Sequence, residues 1–221
     1  MNKGLINLQW DKIESYSEEE ITYFLFLEGK GIEAICKIRN ITKEIAQSHI
    51  IEGKIKYGIL AKSENEKELL RNISKAGKND KLEIINSIGE GMKNNLINYI
   101  KNNYVEMYPK EKETAIWIIG ELKEISCKDI LLKASVHKFV NVRRMAISAM
   151  SKIEDISLEM PLIRALEDEN PQVVLYAITG LSKLNSEKAY DKIKVILETS
   201  PKEYLKRAAL KYMEEFEKWR I

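Results

Sequence analysis

Four alanines, Ala115, Ala146, Ala177 and Ala208, recur at a constant interval of 31 residues. Their neighbours recur with them. Ala146-Ile147-Ser148-Ala149-Met150-Ser151-Lys152-Ile153 aligns with Ala177-Ile178-Thr179-Gly180-Leu181-Ser182-Lys183-Leu184, and Ala115-Ile116-Trp117-Ile118-Ile119-Gly120-Glu121-Leu122 stands one interval earlier. A further interval back, Ile88-Gly89-Glu90 aligns with Ile119-Gly120-Glu121. A fixed period of this size fits one pair of helices, whose apolar faces only a neighbouring pair can cover. Leu131, Leu162 and Ile193 keep the same interval and put a first helix in each unit. Pro109, Pro171 and Pro201 stand where second helices begin, a position that tolerates a missing N–H. The small alanines let neighbouring helices approach, and Ile119, Met150 and Leu181 fill the space between units. The expected class is all-α, with a solenoid over the C-terminal two-thirds that offers a curved face to a large partner.

Composition narrows the choice of partner. Lysine plus arginine exceed aspartate plus glutamate by only two, and the sequence pI is about 8.3. That falls short of the value of about 9 expected of a dedicated DNA-binding domain. With 32% charged residues in near balance, most charge belongs to solvated helix faces. No apolar run approaches a membrane span, and no secretory signal is read at the N-terminus. Cys36 and Cys127 fall within apolar helical patterns, as buried free thiols suited to a reducing cytoplasm. Usage rich in Lys, Ile, Asn and Glu and poor in Arg suggests an AT-rich bacterial genome.

Three short helices are expected within residues 17–52. Ser17 with Glu20 three residues on forms a capping box, and that helix stops at Gly29. Asn40 can take the left-handed turn before Thr42 caps the third helix, which Gly53 ends. Before them, Trp10 and Ile13 suggest a short docking helix. After them, a polar helix over about 64–75 carries Leu69, Leu70 and Ile73, and Gly77-Lys78-Asn79-Asp80 reads as a linker. The expected domains are 1–60, a three-helix unit; 61–80, a helical linker; and 81–221, the repeats.

Asn141-Val142-Arg143-Arg144-Met145-Ala146 supplies Val-Arg and then Ala at helical spacing, and Asp168-Glu169-Asn170-Pro171-Gln172-Val173 supplies an acid in the loop and then Val. Over about 80–217 the chain resembles HEAT-like repeats. Val174 and Leu205 replace the arginine that would continue an Asp–Arg ladder. Trp117, Glu121, Arg144, Ser148, Lys152, Thr179 and Lys183 fall on one variable, polar row of the second helices and are the candidate concave binding face. A positive stripe from Arg144 through Lys152 and Lys183 to Lys206 would favour nucleic acid there; an apolar groove would favour a protein or peptide.

In the N-terminal unit, Cys36 supplies the small residue where the second helix crosses the third, Asn40 the turn, Ile41 the core plug, Ala46 the facing small residue and Ile50 the closing apolar group. Over about 17–55 the chain resembles the helix-turn-helix domain at the C-terminus of RecQ-type helicases, through Glu28-Gly29, Ile35-Cys36, Arg39-Asn40 and His49-Ile50. Ile45-Ala46 departs from that family's Thr-Ile. The resemblance implies DNA binding. Thr42, Lys43, Glu44, Gln47 and Ser48 would then face the groove, with Gln47 suited to adenine and Lys43 to phosphate or guanine. Lys30, Lys37, Arg39, Lys54 and Lys56 would flank them as phosphate contacts.

No phosphate loop, nucleophile elbow or dinucleotide fingerprint occurs. His49 and His137 lie far apart and, with two isolated cysteines, offer no metal-ligand spacing. No metal or cofactor is expected. One enzymatic reading remains. Alkylpurine DNA glycosylases built from HEAT-like repeats have a similar architecture, and Trp117 with Glu121 one turn on could stack on a base and stabilise a cationic sugar. Glutamate as the acid and the lack of a second concave tryptophan depart from that pattern. The overall expectation is a non-enzymatic binding protein, with DNA on the helix-turn-helix and protein or nucleic acid on the repeats. A pure protein-interaction scaffold is the alternative.

Overall fold

The computed structural model describes residues 2–219, with only the backbone of Asn2, Asn7 and Trp219. The protein is all-α apart from one short pairing of β1 (Asn2–Lys3) with β2 (Ile6–Asn7). Its packing divides into two compact units, Met1–Tyr99 and Ile100–Ile221. Among the described residues no helix is long and apolar enough to cross a membrane.

In the first unit, a 3-10 turn at Trp10–Ser15 precedes α1 (Glu18–Leu27). The Ser17 hydroxyl accepts from the Glu20 N–H, and the Glu20 carboxylate accepts from the Ser17 N–H at 2.9 Å. Two N–H groups left over at the helix start are thereby satisfied. Gly29, at φ +86°, releases the chain into α2 (Ile32–Arg39). Asn40 then takes φ 52°, ψ 47°, and Thr42 caps α3 (Lys43–Ala61) by accepting from the Ile45 N–H.

The third helix does not end at Gly53. It runs on to Ala61 because Gly53 serves packing: a Cβ there would lie 2.1 Å from Cγ of the buried Tyr23 on α1. The expected linker is also structured. Gly77 is the N-cap of α5 (Lys78–Ser87), with its N–H donating to Asp80. Between them, α4 (Glu66–Lys75) buries Leu69, Leu70 and Ile73, each contributing roughly 1.5–3 kcal/mol by leaving water. Since α4 and α5 both pack on α3, residues 61–99 belong with the N-terminal unit, and the division falls inside α6 (Glu90–Asn103), beyond the expected 80/81.

In the second unit the backbone keeps the period of the sequence. Helix α7 (Pro109–Glu121) leads through a 3-10 turn to α8 (Lys128–Ala134); α9 (Val140–Ile153) leads likewise to α10 (Glu159–Ala165); α11 (Pro171–Lys183) leads to α12 (Tyr190–Thr199); and α13 (Glu203–Trp219) follows. Lys123, Glu154 and Asn185, one interval apart, all take positive φ (50° to 60°) after α7, α9 and α11. Helix α7 packs on α9, α9 on α11 and α11 on α13. Ala115, Ala146 and Ala177 are fully buried, as are Ile119, Met150 and Leu181. Ala208, on the last described helix, stays partly exposed; Ala209 is buried instead. The earliest echo, Ile88-Gly89-Glu90, is not a repeat: it is the junction of α5 and α6, with Ile88 extended.

Candidate nucleic-acid and partner surfaces

Ile35, Ala46 and Ile50 form the core between α2 and α3, with Leu25, Ile32, Cys36 and Ile41 packed against it. The tight turn is closed by the Ile41 N–H donating to the Cys36 carbonyl at 3.2 Å, with Asn40 left-handed between them. This fixes which way α3 faces. Thr42, Lys43, Glu44, Gln47 and Ser48 are all exposed, as are Lys30 and Lys37. A capped helix start, whose first N–H groups face outward together with a lysine, an amide and two hydroxyls, can contact a phosphate backbone and base edges.

Arg39 is placed otherwise. Its guanidinium pairs with Glu18 at the start of α1, and its side chain is only 11% exposed. It ties α2 to α1 and is not directed at a phosphate. Lys56 bridges to Glu20 at 2.7 Å, while Lys54 lies 5.0 Å over the Phe26 ring. The Tyr57 hydroxyl shares the Glu20 carboxylate; burial first, and that carboxylate second, push it up to about 12. The Glu44 carboxyl is held below its usual range by its own backbone N–H and then by the Thr42 side chain, so a negative charge stands among the outward groups. His49 meets the Thr22 hydroxyl at 3.1 Å and joins α3 to α1 as a structural residue.

On the second helices of the other unit, the candidate row is internally paired. Glu121 and Lys152, one interval apart, form an ion pair. Lys183 reaches back one unit to Glu154 at 2.6 Å and to the Ser151 carbonyl at 3.2 Å. Arg144 donates to Gln172 at 2.7 Å. Thr179 is exposed and turns its hydroxyl onto the Leu175 carbonyl; Trp117 and Ser148 are half-buried. The continuous positive stripe is therefore interrupted at Lys152 and Lys183, each offset by a carboxylate. A carboxylate already matched by lysine is also poorly placed to stabilise a cationic sugar, which weakens the enzymatic reading of Trp117 and Glu121.

Three further features stand outside the candidate residues. Arg143 grips Asp168 through two bonds (2.7 and 3.1 Å) and also donates to the His137 carbonyl, locking two successive loops together. Ile51 and Ile55 stand 58% and 68% exposed on the outer face of α3. A cleft of about 280 Å³ is lined by Lys101, Tyr104, Cys127 and Lys133, among others, and the buried Tyr104 hydroxyl has no hydrogen-bond partner among the described residues. Burial pushes the Cys127 thiol up to about 11, which keeps it protonated and inert. Opposite charges one period apart (Glu121 and Lys152) were a readable signal for the paired row. Ile55 was hidden by the assumption that α3 ended at Gly53.

No protein-family model matches the chain, and no curated protein sequence is significantly similar to it.

Proposed function

We propose that this is a non-enzymatic binding protein whose first unit is a helix-turn-helix that holds nucleic acid on the N-terminal turns of α3. The observation that carries this reading is the left-handed Asn40 between two helices that share the Ile35, Ala46 and Ile50 core, which leaves Thr42, Lys43, Gln47 and Ser48 outward. Lys37 and Lys30 flank that face as phosphate contacts, and Arg39 is withdrawn from it. The C-terminal unit is read as a HEAT-like platform. Its lysines are matched by Glu121 and Glu154, so protein is favoured over nucleic acid as its partner.

The reading is tested by fluorescence anisotropy of a labelled duplex with the full chain. Lys43→Ala with Gln47→Ala should weaken binding by roughly tenfold or more, because a phosphate contact and a base contact are lost together. The thermal melt should not change, since both side chains are exposed. Binding equal to that of the parent would refute the reading.

A further inference from the structure

The face of α3 turned away from its own core is self-complementary. Glu44, Ser48, Ile51, Ile55, Gly58 and Lys62 follow one another at alternating steps of four and three residues, which places them on a single stripe. The stripe lies opposite the buried Ala46, Ile50, Gly53 and Leu60. At its centre are Ile51 and Ile55, 58% and 68% exposed. Two adjacent isoleucines on the open side of a helix ask for a cover.

Gly58 points the same way. A Cβ built on it would meet nothing within 4 Å, so among the described residues no contact requires glycine there, although glycine weakens a helix. A glycine with open space beside it on an apolar stripe suits the close approach of a second backbone.

The stripe also reads the same under reversal. About a two-fold axis at Gly53, Glu44 stands opposite Lys62, Ser48 opposite Gly58, and Ile51 opposite Ile55. Beside the stripe, Glu52 stands opposite Lys54. A two-fold interface demands this relation, because each residue meets a partner that meets it in return. Unlike charges at both ends, small residues inside them and isoleucine at the centre satisfy it at every pair.

We propose that α3 pairs antiparallel with α3 of a second copy of this chain, with the four isoleucines interleaved at the centre and Glu44 of each copy against Lys62 of the other. The contact is a single helix pair, so it belongs to the small, transient class of interfaces. One consequence rests on the nucleic-acid reading: the pair covers Ser48, so α3 cannot hold a duplex and a second copy at once.

Sedimentation equilibrium of the full chain without DNA tests the pairing independently of that reading, at up to roughly 0.5 mM so that a weak contact is seen. The expected result is a monomer–dimer equilibrium that Ile55→Lys abolishes. Glu44→Lys and Lys62→Glu should each weaken it by roughly tenfold, because each contact occurs twice, and the two together should restore it. All these side chains are exposed, and unchanged circular dichroism verifies the fold of each variant. A chain monomeric throughout, a dimer indifferent to Ile55→Lys, or charge variants that fail to rescue one another would each overturn the proposal.

Discussion

Two glycines in one helix should respond to the same substitution with opposite signs. In α3, Gly53→Ala and Gly58→Ala each gain roughly 1 kcal/mol of intrinsic helix preference. At Gly58 the new methyl meets nothing within 4 Å, so that gain should appear nearly whole in the monomer. At Gly53 the methyl would lie 2.1 Å from Cγ, 2.4 Å from Cβ and 2.6 Å from Cδ2 of Tyr23. Carbon atoms in contact prefer about 3.5–4.0 Å, so Tyr23 must retreat by more than 1 Å. It has nowhere to go: it is 2% exposed, stacked on Tyr57 and Phe26 with centroids 6.2 Å away in each case. The clash falls near the tyrosine backbone and not at a flexible tip, so overpacking belongs at the upper end of its usual range, about 3 kcal/mol. The net loss is about 2 kcal/mol, which for a unit of this size lowers the melting temperature by roughly 10 °C. Thermal melts by circular dichroism measure it, and hydrogen exchange of α3 amides assigns it to the N-terminal unit. Gly53→Ala melting at or above Gly58→Ala would refute the packing argument.

Ala177→Leu should overpack the junction of α9 and α11 and cost roughly 1–3 kcal/mol; a melt equal to the parent's would break the register of the second unit. Asp168→Asn tests the Arg143 clasp. Burial alone would raise the Asp168 carboxyl, but the Arg143 pair and the Asn170 N–H outweigh it and hold it below its ordinary value. A depressed folded pKa contributes stability above the unfolded value of about 4 and loses it as pH falls through the folded pKa. The variant should therefore be less stable than the parent near neutrality and converge with it as pH falls through the depressed folded value, which urea unfolding across pH would follow; a constant gap would contradict the pairing. Lys123→Gly should stabilise the second unit by roughly 0.5–1 kcal/mol by relieving its φ of 51°. A fall in the melting temperature would show that the lysine side chain matters more than the turn.

Local signals in the sequence were reliable where one residue type has one use. The Ser17 and Glu20 capping box, the left-handed Asn40 and the 31-residue interval all follow from the chemistry of short segments. Glycine has two uses, and that is where reading failed: Gly53 was taken as a helix end and is a close approach, and Gly77 was taken as a linker and is a helix start. The second reading placed the expected boundary at 80/81, whereas the packing divides at 99/100. Long-range pairing was harder still. The withdrawal of Arg39 depends on Glu18, 21 residues away, reached only once α1 and α2 have folded against each other. The pairing of Lys152 with Glu121 was in principle legible, because two residues one period apart sit side by side on neighbouring helices.

The salt dependence of duplex binding tests the central claim most directly. Three outward lysines, Lys30, Lys37 and Lys43, would release counterions with a log–log slope of about −0.9 each, about −2.7 in all. Lys43→Ala should flatten that slope by about one unit, while Arg39→Ala, whose guanidinium is spent on Glu18, should leave it unchanged. No binding at roughly 0.1 mM protein in low salt, or a slope that responds to Arg39 and not to Lys43, would contradict the account.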